Sequence, residues 1–498
     1  MRSRTAVKEE SMLEPVQRSL DPDDWDSMRA HGHRMLDDMF DYLEHLRDRP
    51  VWQPAPDEVR ARYGEPLPHE GRELGQVHAR FMTEILPYAV GNAHPGFMGW
   101  VHGGGNPVGM LAEMLAAGLN ANLGGRNQMP VEVERQIVRW MRELFGFPER
   151  ASGLFVTGTS MANFIALLVA RTAALGVSVR RDGVCRSDER LTAYASADAH
   201  GCIRQAMDLA GFGSAALRNI PVDSAHCMDL AALEQALAVD RTAGLRPFVI
   251  VGSAGTVDTG AIDDLAGLAA VAEREEVWFH VDGAYGALGM LTPEIAPRLA
   301  GIERADSIAF DFHKWLQVPY DAGFVLVRDG ARHQETFSSA EAYLSRDERG
   351  LAADSPWPCD LGPDLSRGFR ALKTWFTLQV YGADKLGESI AGTCRLARYL
   401  ADRVAAEPRL ELLAPAALNI VCFRYRAQEP DRVNRDIVIA LQESGVAAPS
   451  TTVLDGRLAI RCAIVNHRTE RRDIDALLEA VLTQSAALDT HPILDESS

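Results

Sequence analysis

From about residue 80 to residue 330, apolar strand-like runs alternate with helices, and this alternation constrains the fold more than any other feature of the chain. VEVERQIVRWMRELFGFP (131–148) sets Val133, Ile137, Trp140, Met141 and Leu144 on one face at helical spacing. SMANFIALLVARTAALG (160–176) reads as a second helix, opening after a Gly/Thr/Ser turn. Residues 191–200 read as a strand running into a loop, 201–211 as a helix, 247–257 as a buried strand and 262–276 as a helix. Three more strands are expected at 277–282, 307–312 and 323–329. Apolar strands separated by helices need cover on both faces. The expected fold class is therefore α/β, with a mainly parallel sheet in a large domain over residues 81–375.

Residues 1–80 read as an N-terminal helical arm. Within it, 21–50 carry Trp25, Met28, Met35, Met39, Leu43 and Leu46 at helical spacing. Such a stripe needs a surface to cover, either its own body or a second subunit, and the second is favoured. Residues 51–68 form a proline-bearing connector. The segment 330–365, rich in Gly, Pro and Ser, is expected to be irregular and long enough for a functional loop or lid. Residues 376–498 alternate helices with strands near 417–425 and 457–466, which suggests a smaller C-terminal α+β domain.

Charge narrows the partners. The 498-residue chain has 51 basic and 69 acidic residues, a net charge of −18 that argues against nucleic acid or an anionic membrane surface. A local pocket can still hold an anionic cofactor. Seven cysteines without C-x-x-C or metal-ligand spacing suggest a reducing cytoplasm and no metal site. The N-terminal residues lack a signal-peptide core, and no apolar run is long enough to span a bilayer.

Four stretches carry chemistry, all at expected strand ends, where open α/β sheets bind ligands. TGTSMAN (157–163) puts Thr159 and Ser160 at a helix start, where hydroxyls and backbone N–H groups can hold a phosphate or simply cap the helix. DAHGC (198–202) places His200 between strand and helix, able to stack on a flat ring or move protons, or only to cap. HVDGAY (280–285) ends an apolar strand on Asp282, a carboxylate in need of a cationic or hydrogen-bonding partner, beside the small Gly283 and Ala284. DSIAFDFHKWLQVPYDAG (306–323) buries Lys314 next to His313. A buried ammonium is costly, so such a lysine is either neutralised, snorkels past Trp315, or serves as a Schiff-base nucleophile. An amine, a carboxylate, a stacking ring and a phosphate cradle together suit pyridoxal 5′-phosphate (PLP).

These stretches, with HPGFMGW (94–100), GFRALKTWFTLQVYG (368–382) and RCAIVNHRT (461–469), resemble the group II PLP-dependent decarboxylases that act on aromatic and other L-amino acids. The resemblance spans about residues 25–485. It implies PLP fold type I and a homodimer with active sites at the subunit interface, the N-terminal helix swapping across the dimer. It also implies roles. Lys314 would bond the cofactor's aldehyde and Asp282 its ring nitrogen. His200 would stack on the ring and Ala284 touch it. Thr159, Ser160 and His313 would hold the phosphate, with Thr256 near the ring or phosphate. Asp311 stands where relatives often carry Asn.

The sequence departs from the family at two places. A tyrosine on a mobile loop usually delivers a proton to the substrate in aromatic decarboxylases. In residues 342–364 that position falls near Ser355, and the only loop tyrosine is Tyr343. Another group such as His200, a shifted alignment, or reaction with dioxygen to an aldehyde would each account for this. The substrate wall carries Trp100 and His102 followed by three glycines, and Arg126 can face a substrate carboxylate or form a structural ion pair. Decarboxylation of an aromatic L-amino acid to its amine is the expectation, with an aldehyde product or an acidic substrate as alternatives.

Overall fold

The computed structural model of the chain describes residues 19–186, 189–338 and 346–488. It resolves into two compact units, one running to His45 and taking in Glu58–Pro87, the other comprising Leu46–Asp57 and everything from Tyr88.

In the first unit, Asp24 caps the helix Trp25–Glu44 by accepting from the N–H groups of Asp26 and Ser27. The helix buries no residue, and Trp25 and Met28 are 60% and 40% exposed. A second helix, Leu74–Arg80, follows, and Glu84 ties the segment together by pairing with both Arg62 and Arg80.

The second unit holds two sheets. Twelve strands are, in chain order, β1 (Phe97–Met98), β2 (Ser152–Val156), β3 (Leu191–Ser196), β4 (Leu217–Ile220), β5 (Arg246–Ser253), β6 (Trp278–Asp282), β7 (Ser307–Asp311), β8 (Gly323–Val327), β9 (Leu410–Leu412), β10 (Ile420–Tyr425), β11 (Ala448–Leu454) and β12 (Arg457–Ala463). The larger sheet runs β2-β8-β7-β6-β5-β3-β4 and is parallel except for β8, which opposes both neighbours. Its central strands are buried at nearly every position, which is why they read as continuous apolar runs. The smaller sheet, β1-β11-β12-β10-β9, is antiparallel apart from the β1–β11 pair.

The parallel arrangement sends the carboxyl ends of β2, β3, β5, β6 and β7 to one edge, and each is followed there by a loop carrying polar residues. At that edge β8 begins with Gly323, where a Cβ would lie 2.4 Å from the Cα of Gly158. Glycine at 323 therefore lets the turn after β2 rest directly on the sheet. One expectation needs correction. Segment 330–365 does not start irregular: Gly330–Phe337 is a helix capped by Asp329, whose weak apolar period hides it, since only His333 and Thr336 are buried. No helix of the described residues is long and apolar enough to cross a membrane.

Candidate active site

The loops at the sheet edge enclose a cavity of about 360 Å³. Of the residues assigned from the sequence to cofactor or substrate, all but Arg126 line it: Trp100, His102, Thr159, Ser160, His200, Thr256, Asp282, Ala284, Asp311, His313 and Lys314.

Asp311, the last residue of β7, organises the floor. It is 2% exposed. Its Oδ1 accepts from the Thr159 backbone N–H at 2.7 Å, and its Oδ2 lies 3.0 Å from Lys314 Nζ. Its own N–H donates to the Ala284 carbonyl at 2.9 Å. One carboxylate thus links the turn after β2, the loop after β6 and the lysine. The Lys314 side chain is 22% exposed, so it is half-buried and reaches the cavity rather than being sealed in as its apolar neighbours suggested. His313 accepts from the Ala322 N–H through Nδ1 at 3.0 Å, and burial pushes its pKa below the ordinary value.

Asp282 closes β6. Its Oδ1 accepts from the Ala284 N–H at 3.2 Å and its Oδ2 from Asn163 Nδ2 at 3.0 Å. Burial raises its carboxyl above the usual range, while the charges of Lys314 and His200 act in the opposite sense. His200 caps the helix Gly201–Leu209, accepting from the Cys202 N–H at 3.2 Å, and its ring stays exposed at the cavity. Beside it, burial pushes the Cys202 thiol up to about 12, so it stays protonated.

The phosphate expectation has a structural test. Thr159 opens the helix Thr159–Leu175, and its buried Oγ1 meets no hydrogen-bond partner among the described residues. A buried unpaired hydroxyl at a helix N-terminus is suited to an anionic oxygen. With Lys314, Asp282 and His200 around the same space, the donor set fits PLP.

On the wall expected to meet substrate, Trp100 and His102 have ring centroids 6.0 Å apart, and His102 stacks on Phe97 at 5.7 Å. Glycine at 103 lets this segment press on the lysine loop, since a Cβ there would fall 2.2 Å from the His313 carbonyl oxygen. Burial, then the charge of Lys314, push the His102 pKa down, so the ring is held neutral. Tyr320 completes the wall, 4.2 Å from the His313 ring and 6.0 Å from His102. The sequence reading missed Tyr320, though its place six residues after Lys314 in the same loop was a signal. Arg126 is not brought to this cavity within the chain: its guanidinium lies over the Trp357 ring at 4.4 Å. The loop tyrosine Tyr343 lies outside the described residues.

Known proteins resemble the chain over most of its length. Residues 56–426 match the pyridoxal-dependent decarboxylase conserved domain. The chain is 32% identical to an aromatic-L-amino-acid decarboxylase of Bacillus atrophaeus, over 90% of this chain and 93% of the relative. It is 33% identical to an L-2,4-diaminobutyrate decarboxylase of Rhizobium meliloti (strain 1021), over 86% and 85%. Among solved structures, that of Oryza sativa TDC with PLP and tryptamine superposes with a TM-score of 0.86 at 26% identity, covering 95% of this chain and 100% of that one.

Proposed function

The chain belongs to the pyridoxal-dependent decarboxylase family and is a PLP-dependent amino-acid decarboxylase, and we propose that its substrate is an aromatic L-amino acid whose side chain lies against Trp100, His102 and Tyr320. The observation that carries this reading is the wall itself. Three rings, including a neutral imidazole, face the space next to Lys314, and relatives of nearly equal identity differ in the side chain they accept. The wall therefore weighs more than the identity does.

When bound, PLP supplies a carbonyl for the substrate's amine and an electron-accepting ring that stabilises the charge left as CO2 departs. The chain's residues do the rest. Lys314 provides the amine that retains the cofactor, and Asp311 holds that amine at the cavity floor. Thr159 and Ser160 at the helix N-terminus, with His313 and Thr256 on the same cavity, would hold the cofactor's phosphate. Asp282 keeps the ring nitrogen protonated, because an opposite charge favours the charged form. His200 and Ala284, which line the same cavity, would pack on the cofactor's ring. His200 and Tyr320 each have a proton-carrying group on the wall, and either can hand a proton to the substrate's α-carbon.

One observation favours a second reading. No tyrosine occurs between residues 346 and 364. Slow protonation there would let dioxygen take two electrons and become peroxide, and water would then release an aldehyde and ammonia. The experiment is a panel of aromatic and acidic L-amino acids given to the PLP-loaded enzyme, with CO2, amine, ammonia and peroxide measured with and without oxygen. CO2 and amine from aromatic substrates establish the first reading. Oxygen-dependent ammonia and peroxide establish the second. Turnover confined to acidic substrates overturns the aromatic assignment.

The exposed apolar stripe of the helix Trp25–Glu44 supports a homodimer in which that helix packs on a second copy. Seven free thiols support a reducing, cytoplasmic setting.

A further inference from the structure

Behind the cavity, β6 carries Trp278, His280 and Asp282 at alternate positions, so all three side chains fall on one face of the sheet. Ser307 of β7 is the register partner of His280. Asn163, from the helix covering that face, reaches between His280 and Asp282. Asn163, His280 and Ser307 are fully buried.

The hydrogen bonds run without a gap. Trp278 Nε1 lies 2.8 Å from Ser307 Oγ, Ser307 Oγ 2.8 Å from His280 Nδ1, His280 Nε2 2.8 Å from Asn163 Oδ1, and Asn163 Nδ2 3.0 Å from Asp282 Oδ2. One end fixes the direction outright, and the other does so when Asp282 is ionised, the state in which it pairs with a protonated ring nitrogen. An indole N–H can only donate, and an ionised carboxylate can only accept. Starting from Trp278, Ser307 accepts and passes its own proton to His280 Nδ1. The imidazole proton then sits on Nε2 and faces Asn163 Oδ1, which turns both Asn163 N–H groups toward Asp282 and Cys202 Sγ, the latter at 3.2 Å. In the opposite direction, Ser307 would have to accept from both neighbours and Asn163 would press its carbonyl oxygen on the Asp282 carboxylate. A neutral His280 is required throughout, and burial holds its pKa down at about 4.

We propose that Trp278, Ser307, His280 and Asn163 form a one-way donor chain that keeps Asp282 an ionised acceptor for the cofactor's ring nitrogen, with His280 as its central positioning residue. The proposal rests on the reading that Asp282 faces that nitrogen.

The test is equilibrium binding to cofactor-free protein, followed by fluorescence, comparing PLP with its 1-deaza analogue, which lacks the ring nitrogen. Wild type is expected to prefer PLP by about ten- to a hundredfold, the range of a charge-assisted hydrogen bond. His280→Leu should bring the two affinities within a few-fold of each other, through weaker PLP binding and nearly unchanged binding of the analogue. His280→Gln, which can accept from Ser307 and donate to Asn163, should restore part of the preference. If His280→Leu does not fold, Ser307→Ala removes one oxygen and frees the imidazole tautomer, and should reduce the preference several-fold. Equal weakening of both ligands in the variants would mean a packing role and overturn the proposal. So would a preference that survives in them unchanged. Absence of any preference in wild type would instead overturn the placement of Asp282 against the ring nitrogen, and the proposal with it.

Discussion

Breaking the pair Arg367–Glu134 should destabilise the fold more than any surface ion pair in it. The two side chains are 1% and 4% exposed. Arg367 Nη2 donates to Glu134 Oε1 at 2.7 Å and to the Phe155 carbonyl at 2.8 Å, while Nη1 donates to Glu134 Oε2 at 3.2 Å and to the Leu123 carbonyl at 2.8 Å. Glu134 Oε1 also accepts from the Phe155 N–H at 3.1 Å. The pair therefore joins the helix Met129–Phe145, the 122–125 turn and β2, the strand that leads into Thr159. Removing one partner of such a pair strands a buried charge and costs about 3–5 kcal/mol. With an unfolding entropy of about 2.1 cal/mol/K per residue, a chain of this length changes by about 1 kcal/mol per kelvin near its midpoint. Arg367→Met and Glu134→Gln should each lower Tm by about 3–5 °C at fixed scan rate. The double variant Arg367→Met/Glu134→Leu should fall no further than the worse single, because no charge is left unpaired. Single variants that shift Tm by less than about 1 °C, or a double variant equal to the sum, would refute the reasoning.

Three further outcomes are expected. His280 and His333 are fully buried, and burial pushes both from 6.5 down to about 4. Each takes up a proton on unfolding at pH 5, so its contribution is complete above 6.5 and lost as pH falls toward 4. Asp263, raised by burial from 3.8 to about 6, has the opposite sign and releases a proton over 3.8–6. The three groups leave a net uptake of about one proton, so urea midpoints should fall from pH 7 to 4.5, and flat midpoints would contradict this. Gly323→Ala forces a Cβ to within 2.4 Å of the Gly158 Cα. It should cost about 1–3 kcal/mol in strain and weaken PLP binding, measured by titration of the cofactor-free protein. Tyr320→Phe should lower kcat about a hundredfold and raise the peroxide-linked fraction if this phenol delivers the proton. Unchanged partition and kcat would assign that proton to His200.

Much of this candidate site was legible because several of its side chains follow buried, largely apolar strands. Asp282, His200 and Lys314 stand out where such runs end, and the parallel topology then brings the ends together. What stayed hidden had weaker contrast. The exposed Thr451 and Val453 alternate with half-buried Thr452 in β11, so Ala448–Leu454 lacks the dense apolar run that marks β5 or β7. β4 buries only Ile220 fully. Strand β2 merges with the turn that follows it, and the chemistry of Thr159 and Ser160 draws the eye away from Ser152–Val156. Arg126 shows the converse: a charged residue in a suggestive stretch that the backbone directs onto an indole.

The polar residues inside apolar elements carry a subtler kind of information. Asn163 in a helix of Ala, Ile, Leu and Val, and His280 in the strand WFHVD, each break an apolar pattern at a buried position. A buried polar group without a partner is costly, so each such break states that a partner exists. Period two on β6 by itself aligns Trp278, His280 and Asp282 on one face, which makes them members of one set on the strength of strand geometry alone. What the sequence lacks is the neighbour: only the pairing of His280 with Ser307 across β6 and β7, and the helix laid over that face, supply the two links that turn three aligned residues into a continuous path. Asn163, His280 and Ser307 lie inside the stretches that mark the chemistry, yet only the fold shows that they bond to one another behind the carboxylate.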